Sequence, residues 1–119
     1  MSLMLTKNFS QKEFECPCCG QLVIEQGLLD KIQTIRDLME RPLLITSGYR
    51  CAEYNESIGG ATLSQHRLGR ACDISTKDWG GWTLYKFLKL AIKYDLSVGI
   101  YDQHLHVDNR ITDPVLFKG

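Results

Sequence analysis

Apolar side chains recur at helical spacing in two stretches of the chain. In residues 26–40 they lie three or four positions apart, with charged residues mostly on the opposite face, and Arg41-Pro42 ends the pattern because proline cannot continue a helix. Residues 83–94 repeat this spacing, so two main amphipathic helices are predicted. The predicted buried positions are Leu28, Leu29, Ile32, Ile35, Leu38 and Met39 in the first, and Leu84, Phe87, Leu88, Ala91 and Ile92 in the second.

Shorter β-prone stretches predict strands at residues 43–46, 71–75, 96–101 and 104–108. Side chains alternate along a strand, so Asp73 faces away from the core if its two neighbours, Cys72 and Ile74, face into it. The same alternation places four polar side chains on one face of the last strand and its preceding turn. They are Asp102, His104, His106 and Asp108.

The remaining elements are predicted to be short. Ser10 followed by Glu13 is a capping-box pattern for one helical turn, and residues 51–57 indicate another turn. Residues 1–8 are expected to form a loose N-terminus, and residues 111–119 a loosely packed tail. We expect residues 1–119 to form a single domain, because the sequence contains no linker, repeat or low-complexity tract.

Composition excludes several classes of partner. The chain has 119 residues, 44% of them hydrophobic, and a formal net charge of zero, which favours a compact monomer and no nucleic-acid partner. No apolar run approaches the length of about 18 residues that a membrane-spanning helix needs, so membrane insertion is not expected. No signal peptide is recognisable either, and we expect synthesis in the cytoplasm.

The five cysteines cannot all pair within one chain, and three of them cluster at Cys16, Cys18 and Cys19. The Cys-x-x-Cys spacing of Cys16 and Cys19 would suit a structural zinc ion if Cys51 and Cys72 completed the ligand set. The favoured interpretation is a thiol-lined turn, with Cys51 and Cys72 as small buried apolar residues.

All three histidines fall in two short segments, and they suggest a metal site. His66 precedes Asp73 by seven residues, and His104-x-His106 follows later. Two imidazoles and a carboxylate are the ligand set of an open catalytic zinc site. The same set also forms the facial triad of non-haem iron oxygenases, but that triad usually has a His-x-Asp spacing, so zinc is favoured.

Three further polar residues have open roles. Arg50 follows the predicted strand 43–46, where it is either a solvated charge or a fixed cation for a substrate carboxylate or oxyanion. Ser64 and Gln65 precede His66, and either cap the local turn or contact substrate.

These segments together resemble a known family. The pattern Ser64-x-His66-x-x-Gly69-x-Ala71-x-Asp73, with Ser47-Gly48-Tyr49-Arg50 before it and His106-Val107-Asp108 after it, is similar to the zinc D-Ala-D-Ala carboxypeptidases, peptidase family M15. The closest likeness is to short single-domain members of phages and prophages, and the hedgehog signalling domain is a distant relation. The resemblance implies a small α+β fold, in which helices pack on an antiparallel sheet that carries the metal site.

The resemblance also assigns residues. It implies that His66, Asp73 and His106 bind Zn²⁺ and that Arg50 contacts the substrate or its oxyanion. Many members carry an acidic residue three positions before the last ligand, where this chain has Gln103. The general base is therefore open among Asp102, His104 and Asp108.

The implied activity is zinc-dependent hydrolysis of amide bonds in peptidoglycan stem peptides, by a D,D-carboxypeptidase or an endolysin-type endopeptidase. Such an enzyme would reach the cell wall after release or export. The alternative is a zinc-containing module that binds the cell wall or another partner and has lost catalysis, since Gln103 replaces the expected acid.

Overall fold

The computed structural model describes residues 3–62 and 64–119, so Met1 and Ser2 of the expected loose N-terminus lie outside the described residues. In these described residues, five helical segments and five strands form an α+β fold, the predicted fold class. The helices are α1 (Gln11–Phe14), α2 (Gln26–Met39), α3 (Ala52–Ser57), a 3-10 helix (Gln65–Leu68) and α4 (Gly81–Lys93). The strands are β1 (Ile45–Ser47), β2 (Ala71–Ser75), β3 (Ser97–Ile100), β4 (His104–Asp108) and β5 (Leu116–Lys118).

The strands form one sheet in the order β1-β2-β4-β3-β5. Neighbouring strands are antiparallel except for β5, which runs parallel to β3. The central pair, β2 and β4, is in continuous register from Ala71 opposite Asp108 to Ser75 opposite His104. This register places Asp73 directly opposite His106.

The core lies between the two long helices and one face of the sheet. Ile32 of α2 and Phe87 of α4 are fully buried in the same cluster as Ile74, Leu105 and Val107 of the central strands. Cys72 and Ile74 therefore face the core, which is the condition under which Asp73 was expected to face away from it. None of the helices in residues 3–62 and 64–119 has the length and apolarity to cross a membrane.

Two residues assigned to the buried helix faces are exposed. Leu38 of α2 is 43% exposed, and Ile92 of α4 is 60% exposed. Ile92 follows the fully buried Ala91, and each residue of a helix turns about 100° from the one before it. The apolar stripes are therefore narrower than the sequence suggests.

Described residues near both chain ends make contacts with other parts of the fold. Leu5 N–H donates to the Phe9 carbonyl at 2.8 Å, and the Thr6 hydroxyl donates to Gln33 Oε1 at 2.6 Å. At the other end, β5 pairs with the outer edge of β3. This pairing satisfies backbone groups that an open edge strand would leave without partners.

The short α1 holds the N-terminal segment in place. Ser10 N–H donates to Glu13 Oε1 at 3.0 Å, which confirms the capping box. Phe9 and Phe14 are buried, and their rings meet edge to face with centroids 5.9 Å apart. The Phe14 carbonyl accepts a hydrogen bond from Tyr49 N–H at 2.7 Å, so α1 is joined to the segment that follows β1.

Gly48 permits this close approach, and its replacement is expected to destabilise the fold. A Cβ at position 48 would lie 2.5 Å from the Phe14 Cα, which requires backbone movement. We expect Gly48→Ala to reduce the free energy of unfolding by about 2 kcal/mol, as overpacking typically does. Urea unfolding measures the loss. The control is Gly81→Ala in α4, where an added Cβ meets nothing within 4 Å. Equal stability of the two variants would contradict the expectation.

Candidate metal centre

Three side chains from three elements converge over the middle of the paired strands β2 and β4. His66 lies on the 3-10 helix, Asp73 on β2 and His106 on β4. His66 Nε2 lies 3.1 Å from Asp73 Oδ1 and 3.2 Å from His106 Nδ1, and His106 Nδ1 lies 3.4 Å from Asp73 Oδ1. The structure therefore brings together the three residues that the sequence predicts as metal ligands.

The chain positions His66 through the turn that contains it. Ser64 Oγ accepts a hydrogen bond from His66 N–H at 3.2 Å at the start of the 3-10 helix. Gly69 ends this helix in the left-handed conformation, with φ of 71°, and a Cβ there would meet the Val23 carbonyl oxygen at 2.5 Å. A glycine is therefore required where β2 is about to begin.

Hydrogen bonds orient both imidazoles. His66 Nδ1 lies 2.8 Å from the Gly48 carbonyl oxygen, and His106 Nε2 lies 2.7 Å from Asp108 Oδ2. A carbonyl or carboxylate oxygen accepts only, so these two ring nitrogens are the protonated donors. The other nitrogens, His66 Nε2 and His106 Nδ1, then direct their lone pairs toward the common centre.

The donor geometry fits a tetrahedral metal ion. Bonds of about 2.0–2.1 Å at tetrahedral angles, as around zinc, separate neighbouring donor atoms by about 3.3 Å. The three separations here are 3.1, 3.2 and 3.4 Å. Two lone pairs and one carboxylate oxygen at such short range repel one another unless a cation lies between them.

Arg50 contacts the centre through Asp73. Its Nη2 donates to Asp73 Oδ2 at 3.2 Å, and its Nε donates to Ser47 Oγ at 3.2 Å. Burial raises the pKa of Asp73, but its contacts with the His106 and His66 rings outweigh burial and hold this pKa well below its usual value. The carboxylate therefore stays ionised, with one oxygen toward the imidazoles and the other toward Arg50.

Asp108 forms a second layer behind His106. Its side chain is fully buried, and Arg110 donates to both of its oxygens, at 2.8 and 2.7 Å. Burial raises the pKa of Asp108, but the hydrogen bonds from Arg110 and His106 lower it to about 2. Burial also lowers the pKa of His106, but Asp108 and Asp73 outweigh this effect and raise it above its usual value.

The metal ligands open on a cleft of about 530 Å³. Arg50, Ser64, Gln65 and His104 also line it, so these sequence-predicted residues are brought together. Asp102 is exposed in the turn before β4 and does not line the cleft.

Gln65 Oε1 is buried without a hydrogen-bond partner among the described residues. Ser64 caps the 3-10 helix, so capping the local turn is the better supported of its two predicted roles, the other being contact with substrate.

Reasoning from the sequence missed several cleft residues, among them Tyr101, Arg110 and Phe117. Tyr101 stacks on His104, with ring centroids 4.4 Å apart and planes inclined by 10°. The sequence feature that could have indicated Tyr101 is the two-residue turn between it and His104. Tyr101 N–H donates to the His104 carbonyl across this turn. Phe117 reaches the site only because β5 pairs with β3, and no local pattern indicates that pairing.

A second cleft, of about 560 Å³, adjoins the first. The two share Arg50, Ile58, Asp73 and His104. Glu13, Pro17 and Tyr54 belong to the lining of the second cleft alone. Space is therefore available on two sides of Asp73.

Comparison with known proteins confirms the family resemblance. A family model described as Peptidase M15 matches residues 7–108, which is most of the chain, and the chain therefore belongs to this family. No curated protein matches the chain. Membership indicates a metallopeptidase, and His66, Asp73 and His106 form a candidate metal-binding group.

The raised pKa of His106 predicts how the metal-free protein responds to pH. A raised folded pKa stabilises the fold fully below the unfolded value of about 6.5, and this contribution is lost as pH rises through the folded value. With metal removed by a chelator, His106→Asn should therefore cost more stability at about pH 5.5 than at about pH 8.5. Urea unfolding at both values measures this difference. If the stability lost in His106→Asn were the same at both pH values, the assignment of Asp108 and Asp73 as partners that raise the pKa of His106 would be wrong.

Asp108 should show the opposite dependence. Its lowered pKa stabilises the fold above about pH 4, and this contribution is lost as pH falls toward about 2. We expect Asp108→Asn to lower the free energy of unfolding by about 2 kcal/mol at neutral pH, and by less near about pH 2.5. The control is Asp113→Asn, because Asp113 is exposed. An equal effect of the two substitutions at neutral pH would refute the role of the buried carboxylate.

Proposed function

We propose that this member of the peptidase M15 family is a zinc-dependent peptidase that hydrolyses amide bonds in peptidoglycan stem peptides. The observation that carries the proposal is the convergence of His66 Nε2, Asp73 Oδ1 and His106 Nδ1 beside an open cleft. Two imidazoles and a carboxylate leave one position of a tetrahedral zinc ion for water or substrate.

The donor types favour zinc over magnesium and calcium. Magnesium and calcium prefer oxygen ligands only, whereas two of the three donors here are imidazole nitrogens. When bound, zinc supplies a Lewis acid that polarises the substrate carbonyl and makes water a better nucleophile at neutral pH. Asp108 supports this centre by holding His106 in one tautomer through the hydrogen bond to its Nε2.

His104 is the best-supported general acid or base among the three candidates. Asp108 has no exposed surface, and both of its oxygens are engaged by His106 or Arg110. Asp102 lies outside both clefts at the metal ligands. His104 lines both, and Tyr101 holds its ring by stacking, so it can take or deliver a proton at a bound peptide.

Arg50 has two roles in this proposal. Its Nη2 holds Asp73 in the orientation that directs Oδ1 to the imidazoles. Its side chain also lines both clefts, where a fixed cation stabilises a substrate carboxylate or a developing oxyanion. Gln65 is a further candidate for substrate contact, since its buried amide oxygen is without a partner among the described residues.

The two adjoining clefts favour cleavage within a peptide. An endopeptidase binds chain on both sides of the scissile bond, whereas a carboxypeptidase needs room for only one residue beyond it. Because the clefts meet at Arg50, Asp73 and His104, we favour an endolysin-type endopeptidase over a D,D-carboxypeptidase. Such an enzyme, of a phage or prophage, would be made in the cytoplasm and act on the cell wall after release.

The test is digestion of purified peptidoglycan, with mass spectrometry of the released fragments. The zinc-loaded protein should release peptides with new amino termini, and the fragment masses identify the bond. His66→Ala should lose the ion of this centre and fall to background. His104→Ala should keep that ion while its rate drops about 10²–10⁴-fold, as loss of a general acid or base predicts. Asp113→Asn, at an exposed position, is the control.

Two outcomes would contradict the proposal. Normal hydrolysis by His66→Ala would exclude the metal centre from the reaction. Tight binding of the zinc-loaded protein to peptidoglycan without new amino termini would favour the alternative, a cell-wall-binding module, which the replacement of the expected acid by Gln103 also suggests.

A further inference from the structure

Three of the five cysteines form a second cluster. The Sγ atoms of Cys16, Cys19 and Cys51 all lie within 4.8 Å of one another. Cys18, on the same loop, adds a fourth thiol, which interacts with the thiol of Cys51 but lies outside this group. Cys72 is separate, because it is fully buried in the hydrophobic core, and burial raises the pKa of its thiol.

The backbone around Cys16 forms a tight turn that directs the thiols together. The Cys16 carbonyl accepts from Gly20 N–H at 2.8 Å, and Cys16 N–H donates to the Gln21 carbonyl at 2.8 Å. Gly20 adopts the left-handed conformation, with φ of 71°. The Cys-x-x-Cys pair of Cys16 and Cys19 thus lies on a closed loop, and Cys51 faces it from the start of α3.

Backbone N–H groups point at two of the sulfur atoms. Cys51 N–H donates to Cys16 Sγ at 3.4 Å, and Tyr54 N–H donates to Cys51 Sγ at 3.4 Å. Such bonds favour a thiolate over a thiol. Burial raises the pKa of Cys16, but hydrogen bonds from backbone groups of Cys51, Cys19 and Cys18 outweigh burial and lower it to about 7.

We propose that Cys16, Cys19 and Cys51, with Cys18 as the fourth ligand, bind a structural zinc ion that is distinct from the histidine centre. A pair at Cys-x-x-Cys spacing, here Cys16 and Cys19, joined by a thiolate from a distant segment, here Cys51, is typical of closed structural zinc sites. Each thiol that binds releases its proton to solvent, and no oxidant is needed. Cys72, which the sequence suggests as a ligand, is excluded by its position in the core.

The ion would hold the segment that supports the histidine centre. Cys51 directly follows Arg50, and the Gly48 carbonyl in the same segment orients His66. Linking Cys51 to Cys16 and Cys19 fixes this segment against the loop after α1. The thiolate site is therefore expected to stabilise the fold and, through Arg50 and Gly48, the geometry of the other centre.

The test counts metal and identifies its ligands without measuring activity. The wild-type protein should bind two zinc ions, and His66→Ala should keep one. Cobalt in place of zinc in His66→Ala should show an intense thiolate-to-metal charge-transfer band. Cys51→Ser in that background should lose both the ion and the band. Serine can still cap α3 by accepting from Tyr54 N–H, so the fold should persist.

Cys72→Ala in the same background is the matched control, because it removes a thiol outside the cluster and should retain the ion and the band. The proposal is overturned if His66→Ala binds no zinc, if its cobalt form lacks the thiolate band, or if Cys51→Ser retains both. These results do not depend on whether peptidoglycan is hydrolysed. Failure of the thiolate site can therefore be distinguished from failure of the proposed peptidase function.

Discussion

The antiparallel pairing of β2 with β4 is the constraint on which the rest of the site depends. It places Asp73 opposite His106, while Cys72, Ile74, Leu105 and Val107 on the other face join the core. A shift of one residue in either strand would turn its polar side chains into the core and its apolar side chains outward. The free energy of burying the apolar face therefore also sets the separation of two candidate metal ligands.

Register alone brings the ligands close, and hydrogen bonds behind them set their orientation. The Gly48 carbonyl and the Asp108 carboxylate each bind the ring nitrogen that faces away from the centre. Burying Asp108 is unfavourable in itself, and Arg110 offsets this cost by donating to both carboxylate oxygens. These hydrogen bonds therefore hold the lone pairs of His66 Nε2 and His106 Nδ1 in directions that suit a bound cation.

Features of the fold that follow from local periodicity could be predicted from the sequence. The alternation of residues 71–75 and 104–108 was sufficient to place Asp73 and His106 on the polar face, and helical spacing located α2 and α4. The pairing of β5 with β3 could not be predicted, because it joins segments that are distant along the chain and depends on which sheet edge is open. The support of Asp73 by Arg50 likewise depends on a tertiary distance, whereas Asp108 lies two residues after His106 on the strand face that the alternation predicts.

Residues 47–51 show why a site of this kind needs support outside its regular elements. After β1 ends at Ser47, the segment has no repeating backbone hydrogen bonds, yet it contributes the Gly48 carbonyl to His66 and the Arg50 guanidinium to Asp73. Three tertiary contacts hold it instead. Tyr49 N–H donates to the Phe14 carbonyl, Arg50 N–H to the His66 carbonyl, and Cys51 N–H to Cys16 Sγ. Because the first and third involve the N-terminal region, that region helps to shape the metal centre although it contributes no ligand to it.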